Sequence, residues 1–96
     1  MDIEDYVRAA QVTGTDKPLR ILHALSKSGE TISRLRTITG IKLKSLSAVM
    51  RALLNDGHIL STPMPSDRRI RLVTITKRGR ARYAKLAKDV LSSQGF

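Results

Sequence analysis

Nine bases and no acid fall between Arg68 and Lys88: Arg68, Arg69, Arg71, Lys77, Arg78, Arg80, Arg82, Lys85 and Lys88. Such side chains neutralise phosphates, and a run of one sign without interspersed acids is more than solubility requires. A second set lies upstream, where Lys42, Lys44 and Arg51 stand among the small residues Ser45, Ser47 and Ala48. Cations hold a phosphate backbone, and short hydroxyl side chains reach base edges when the element carrying them approaches closely. The chemistry on offer is recognition of a polyanion. Over all 96 residues, 18 Lys and Arg oppose 8 Asp and Glu, a formal charge of +10. Residues 1–15 run the other way, with Asp2, Glu4 and Asp5 against the single base Arg8.

Catalysis finds little to work with. It needs an activated nucleophile, an acid–base pair or a metal, and the chain has no cysteine and two histidines. His23 stands beside an apolar stripe and His58 begins a strand, so both read as structural or surface residues. The glycines are isolated punctuation and form neither a GxGxxG nor a Walker loop. The chain is therefore expected not to be an enzyme, and to carry no metal and no cofactor. Its composition, 41% hydrophobic and 27% charged, is that of a globular protein. No apolar run approaches the ~18 residues of a membrane span, and MDIEDYVRAA lacks the basic start and apolar core of a signal peptide. The expectation is a soluble, cytoplasmic protein associated with the nucleoid, or with the host cytoplasm if viral, and no membrane partner.

The elements that must position these residues can be read from periodicity and punctuation. Within residues 1–14, Ile3, Tyr6, Val7 and Ala10 recur at helical spacing and predict an acidic N-terminal helix. Thr15 or Asp16 can cap the next helix, with Pro18 in its first turn and Leu19, Leu22 and Leu25 as its stripe up to Gly29. TISRLRTITG predicts a short helix with Thr31 or Ser33 as N-cap, Leu35 and Ile38 inward, and Gly40 as a stop. IKLKSLSAVMRALLNDG predicts a longer helix, apolar at Leu46, Val49, Met50 and Leu53 and closed by Asn55 and Gly57. HILSTPM and RRIRLVTIT read as two strands of a hairpin, with Pro63 and Pro65 ending the pairing so that Ser66, Asp67, Arg68 and Arg69 project as a basic tip. TKRGRARYAKLAKDVLSS, capped by Thr76, predicts a basic C-terminal helix with Tyr83, Leu86, Ala87, Val90 and Leu91 on one side.

A short helix, a glycine turn and a third helix whose outer face holds only small or basic groups form a helix-turn-helix pattern. The hairpin that follows makes it winged. The expected fold is mainly α with a small antiparallel β-hairpin: a winged helix-turn-helix over residues 16–75, flanked by helices over 1–14 and 76–93, in one domain of 96 residues. Arginine at the wing tip suits a narrow minor groove, which concentrates negative potential.

DRRIRLVTITKRG, Asp67 to Gly79, resembles the wing-to-helix signature of the multiple-antibiotic-resistance regulator (MarR) family: Asp-x-Arg, a hydrophobic strand, then Leu-Thr-x-x-Gly. Ile75 stands here for the leucine before Thr76. Upstream, LLNDGHI is similar to the family's Leu-x-x-x-Gly-Leu-Ile, and the element order from residue 16 to 80 is similar as well. The resemblance implies that Asp67 braces the wing, that Arg69 reaches the minor groove, and that Lys44, Ser45 and Ser47 face the major groove. Ala48 stands where the family often has arginine, and no small-molecule effector is indicated.

The expected function is sequence-specific binding of double-stranded DNA in transcription regulation, through Lys42, Lys44, Ser45, Ser47, Arg51, Arg68, Arg69 and Arg71. Pairing of the outer helices into the expected homodimer would use Ile3, Tyr6, Val7, Tyr83, Leu86 and Val90; the same residues could instead close one monomer. Two alternatives remain. RNA or single strands are disfavoured by the scarcity of aromatic stacking groups, which are Tyr6, Tyr83 and Phe96 alone. An architectural or protein-contact module without sequence preference is the other.

Overall fold

The computed structural model describes residues 16–93. The N-terminal helix expected over 1–14, with Ile3, Tyr6 and Val7, lies outside the described residues, as does the side chain of Val90. The order of elements is α1 (Asp16–Lys27), β1 (Glu30–Thr31), α2 (Ile32–Thr39), α3 (Leu43–Asn55), β2 (Ile59–Pro63), β3 (Arg71–Ile75) and α4 (Lys77–Ser93).

Helix α1 is the hub. It packs against α2, α3, α4 and β3, and that encirclement explains why Ile21 and Ala24 are buried beside the expected Leu19, Leu22 and Leu25. Helix α2 starts where Thr31 accepts a hydrogen bond from the Arg34 N–H at 3.3 Å and stops at Gly40, whose φ of 71° is left-handed. Its inward face differs from the expected one. Leu35 is fully buried, but Ile38 is 44% exposed and Thr39 takes the inward place one turn after Leu35. Thr39 can sit there because its hydroxyl donates to the Leu35 carbonyl at 2.6 Å and accepts from the Ile41 N–H at 3.2 Å. Helix α3 buries Leu46, Met50 and Leu53, with Val49 packed at the edge.

The sheet has three strands, not two. Glu30 and Thr31 pair with Val73 and Leu72, giving the antiparallel order β1-β3-β2. Pairing also runs beyond the expected limit: Pro63 pairs with Arg71, and the Met64 N–H donates to the Ile70 carbonyl at 2.8 Å. That bond leaves Pro63 at a non-bonded position of an edge strand, where its missing N–H costs nothing. The turn itself is closed by the Ile70 N–H on the Asp67 carbonyl at 3.0 Å, so β3 begins at Arg71 rather than Arg68.

Thr76 joins the hairpin to α4. Its hydroxyl donates to the Gly57 carbonyl at 2.7 Å and accepts from the Gly79 N–H at 2.9 Å. Gly79 is buried against the backbone just before β2, so closely that a methyl group there would overlap the His58 carbonyl oxygen. Leu86 joins the core and Tyr83 packs against it. These two side chains, expected at a subunit interface, are thus already engaged within one chain.

Candidate nucleic-acid interface

The solvent-facing side of α3 carries basic and small groups at its centre, with Leu43 and Leu54 exposed at its margins. Lys44, Ser47, Ala48 and Arg51 are exposed, Ser45 is half-buried, and the N-cap Lys42 is exposed as well. Burial of Leu46, Met50 and Leu53 fixes this orientation, since residues three and four apart share a face. Lys42 makes no side-chain capping bond and the first turn holds no acid. The helix therefore opens with uncapped backbone N–H groups, a polarity that suits a phosphate oxygen.

Helix α2 adds groups that the sequence reading missed. Ser33, Arg34, Arg36 and Thr37 are exposed, and Ser33, Arg36, Thr37 and Lys42 line a cleft of about 480 Å³ across the α2–α3 turn. Arg34 is partly engaged, 3.8 Å from Glu30. The signal was available: no acid occurs between Thr31 and Leu54.

At the hairpin tip the three arginines are held differently. Asp67 Oδ1 accepts from the Arg69 backbone N–H and from its Nε, and Oδ2 accepts from Nη2, each at 3.1 Å. Those bonds, the side-chain ones first, lower the Asp67 pKa, and the side-chain ones raise that of Arg69. Arg71 lies along the hairpin, its Nη2 donating to the Ser61 carbonyl at 2.7 Å and its Nε to the Ser61 hydroxyl at 3.1 Å. Arg68 stands exposed beside them.

The histidines are placed structurally. His23 Nδ1 lies 2.6 Å from the Tyr83 hydroxyl and so ties α1 to α4; burial, then the nearby Lys27 charge, lowers its pKa. His58 is buried, and its backbone carbonyl accepts from the Thr76 N–H at 3.1 Å. Among the described residues no group of three or more His, Cys, Asp or Glu could hold a metal ion, and no helix is long and apolar enough to cross a membrane.

Two helices joined by a glycine turn, the second with an acid-free outer face, followed by a hairpin with an arginine tip, define a winged helix-turn-helix protein. No protein-family model matches the chain. It is 33% identical over 85 residues, 83% of its length, to the transcriptional activatory protein BadR of Rhodopseudomonas palustris, of which it covers 49%. The chain thus spans about half the length of this curated relative. Its fold matches that of the transcriptional repressor CouR, solved bound to a 23-mer DNA duplex, at 30% identity and a TM-score of 0.73, covering 94% of this chain and 64% of that one. AbsC, a MarR family transcriptional regulator from Streptomyces coelicolor, is similar at 26% identity and a TM-score of 0.73, with the same coverage of 94% and 64%. The chain shares the winged helix-turn-helix fold of these MarR-like transcription regulators and is similar to them in sequence.

Proposed function

We propose that this chain is a transcription regulator that binds double-stranded DNA sequence-specifically, as a homodimer, with α3 in the major groove and the hairpin tip in the minor groove. The observation that carries this is the outer face of α3: among Lys42, Lys44, Ser45, Ser47, Ala48 and Arg51 there is no acid and no bulky apolar group. A helix of that kind can approach base edges closely while its cations hold phosphates. Lys42, Lys44 and Arg51 contact the backbone, Ser45 and Ser47 read bases, and Arg68 and Arg69 enter the minor groove. Asp67 shapes the tip, and Arg71 supports it from the strand. Binding to a DNA duplex by CouR supports the same reading here, and a cytoplasmic, nucleoid-associated location follows from it.

Residues 1–14 and α4 would supply the dimer contact, so that two α3 helices meet successive major grooves of a palindromic site. The test is selection of random duplexes by the purified chain at physiological salt, with sedimentation on the same sample. An enriched palindrome bound by a dimer is expected; absence of any enriched motif would replace this reading with an architectural or protein-contact module.

A further inference from the structure

We propose that Leu43 is a base-reading residue of α3 and that it recognises thymine through the C5-methyl group. The inference rests on the reading of α3 as the helix that enters the major groove, and it adds a side chain that the cations and hydroxyls leave out.

Leu43 is the first residue of α3, and it is 46% exposed. The fold does not use it. The core beside this end of the helix is closed by Ile41 and Leu46, both buried, and Leu43 has no place in the core cluster. Nor does the helix terminus call for it. A first turn favours an acid and a capping side chain, whereas this one has no acid and opens on Lys42, which makes no side-chain capping bond. A single exposed leucine needs no account on an ordinary surface. This one stands between Lys42 and Lys44 and one turn before Ser47, all three of them exposed.

Position separates Leu43 from the other exposed large apolar side chains among the described residues. A recognition helix meets base edges with its N-terminal residues, while the helix before it crosses the backbone. Ile32 and Ile38 belong to α2, Leu60 to β2, and Ile70 to the hairpin turn. Leu54 lies at the far end of α3, about 16 Å from Leu43 at 1.5 Å rise per residue.

Chemistry selects the base. Each base edge in the major groove presents donors and acceptors, and the one apolar feature there is the thymine methyl group. A leucine side chain has no polar atom. Against adenine, guanine or cytosine it would strip water from a donor or acceptor and replace no hydrogen bond. Against thymine it buries methyl on methyl. Leu43 thus discriminates both by attraction and by exclusion. Ser47 shares its face of the helix, about 6 Å further along, which is less than two base-pair steps of about 3.4 Å. The thymine should therefore lie within about two base pairs of the position that Ser47 reads.

The full chain is tested on the duplex it selects from a random pool, with each thymine replaced in turn by deoxyuridine, which lacks only the C5-methyl group. Affinities at physiological salt are compared for wild type, L43A and L43M. At one thymine in each half of the site, replacement should weaken binding by wild type about fourfold, the worth of one buried methyl group. L43A should bind the two duplexes alike, while L43M, apolar and of similar volume, should keep the dependence. On a duplex with every thymine replaced, wild type and L43A should agree within about twofold, and equal unfolding temperatures would show that the fold is kept. A wild-type chain indifferent to every methyl group overturns the proposal alone. An equal methyl effect in wild type and L43A overturns it too, because the contact then belongs to Ala48 or Ser47, or the effect to DNA shape. A chain that selects no site overturns the α3 reading together with this one.

Discussion

Arg69 wraps around the carboxylate of Asp67, with its backbone N–H, Nε and Nη2 all at 3.1 Å from the two oxygens, while its side chain stays 91% exposed. The pair fixes the hairpin tip and offsets the charge of the arginine it positions. Replacing Asp67 by Ala should therefore act in two directions. Binding to arbitrary duplex at low salt should hold or rise, because one negative charge is gone. Discrimination for the selected site should fall, because the tip is no longer preset. Titrations of both duplexes over a salt series separate the effects, and equal losses on both would refute the bracing role.

Arg68 has no carboxylate held against it in the turn, and its charge stands undiminished at the tip. Substitution to Ala should weaken duplex binding and lower the salt slope by about 0.9, the value of one phosphate neutralised. Unchanged affinity in the same salt series would remove the tip from the interface.

Ser45 and Ser47 sit on the outer face of α3, between Lys44 and Ala48. Changing either to Ala should shift sequence preference more than bulk affinity, at about 1–3 kcal/mol of discrimination where a base pair is read through good hydrogen bonds. Selection with each variant measures this directly. A motif identical to that of wild type would show that readout lies elsewhere, in DNA shape or in the wing.

Much of this arrangement was legible in the residues. Gly40 and Gly57 mark the helix stops because both adopt a left-handed φ, 71° and 75°, and Leu46, Met50 and Leu53 set the face of α3 by spacing alone. What was not legible depends on partners distant in sequence. Glu30–Thr31 is too short to carry a strand pattern and exists only because β3 offers it an edge. Thr39 displaces Ile38 from the core through hydrogen bonds that no hydropathy pattern contains. Pro63 tolerates its place in the ladder because of the register fixed by Met64 and Ile70. Arg36 joins the site only when the α2–α3 turn brings it to the same cleft as Lys42.

Gly79 was expected only from a motif, and the structure supplies its reason. Helix α4 crosses the start of β2 with no room for a side chain at that position, the obstacle being the His58 backbone carbonyl, with Ile75 Cγ1 2.8 Å from where a Cβ would stand. Backbone yields less readily than a side-chain tip, so Gly79→Ala should destabilise by about 1–3 kcal/mol or more, as overpacking does. Thermal unfolding should record a lower midpoint, and a midpoint indistinguishable from that of wild type would mean that α4 can slide on the hairpin without loss.

Acid should weaken the fold through His23. Burial and the Lys27 charge hold the His23 pKa below its ordinary value, so the folded chain binds a proton there less readily than the unfolded one. Stability from this source is fully present above the ordinary histidine pKa of about 6.5 and declines as pH falls through the lowered folded value. The unfolding midpoint should accordingly drop across that window, and His23→Gln, which cannot titrate, should flatten the drop. Tyr83→Phe removes the hydroxyl that meets His23 Nδ1 at 2.6 Å while leaving the imidazole to titrate, so it should lower the midpoint at neutral pH yet keep the acid-side decline. A decline that persists in His23→Gln would assign the acid sensitivity to other groups.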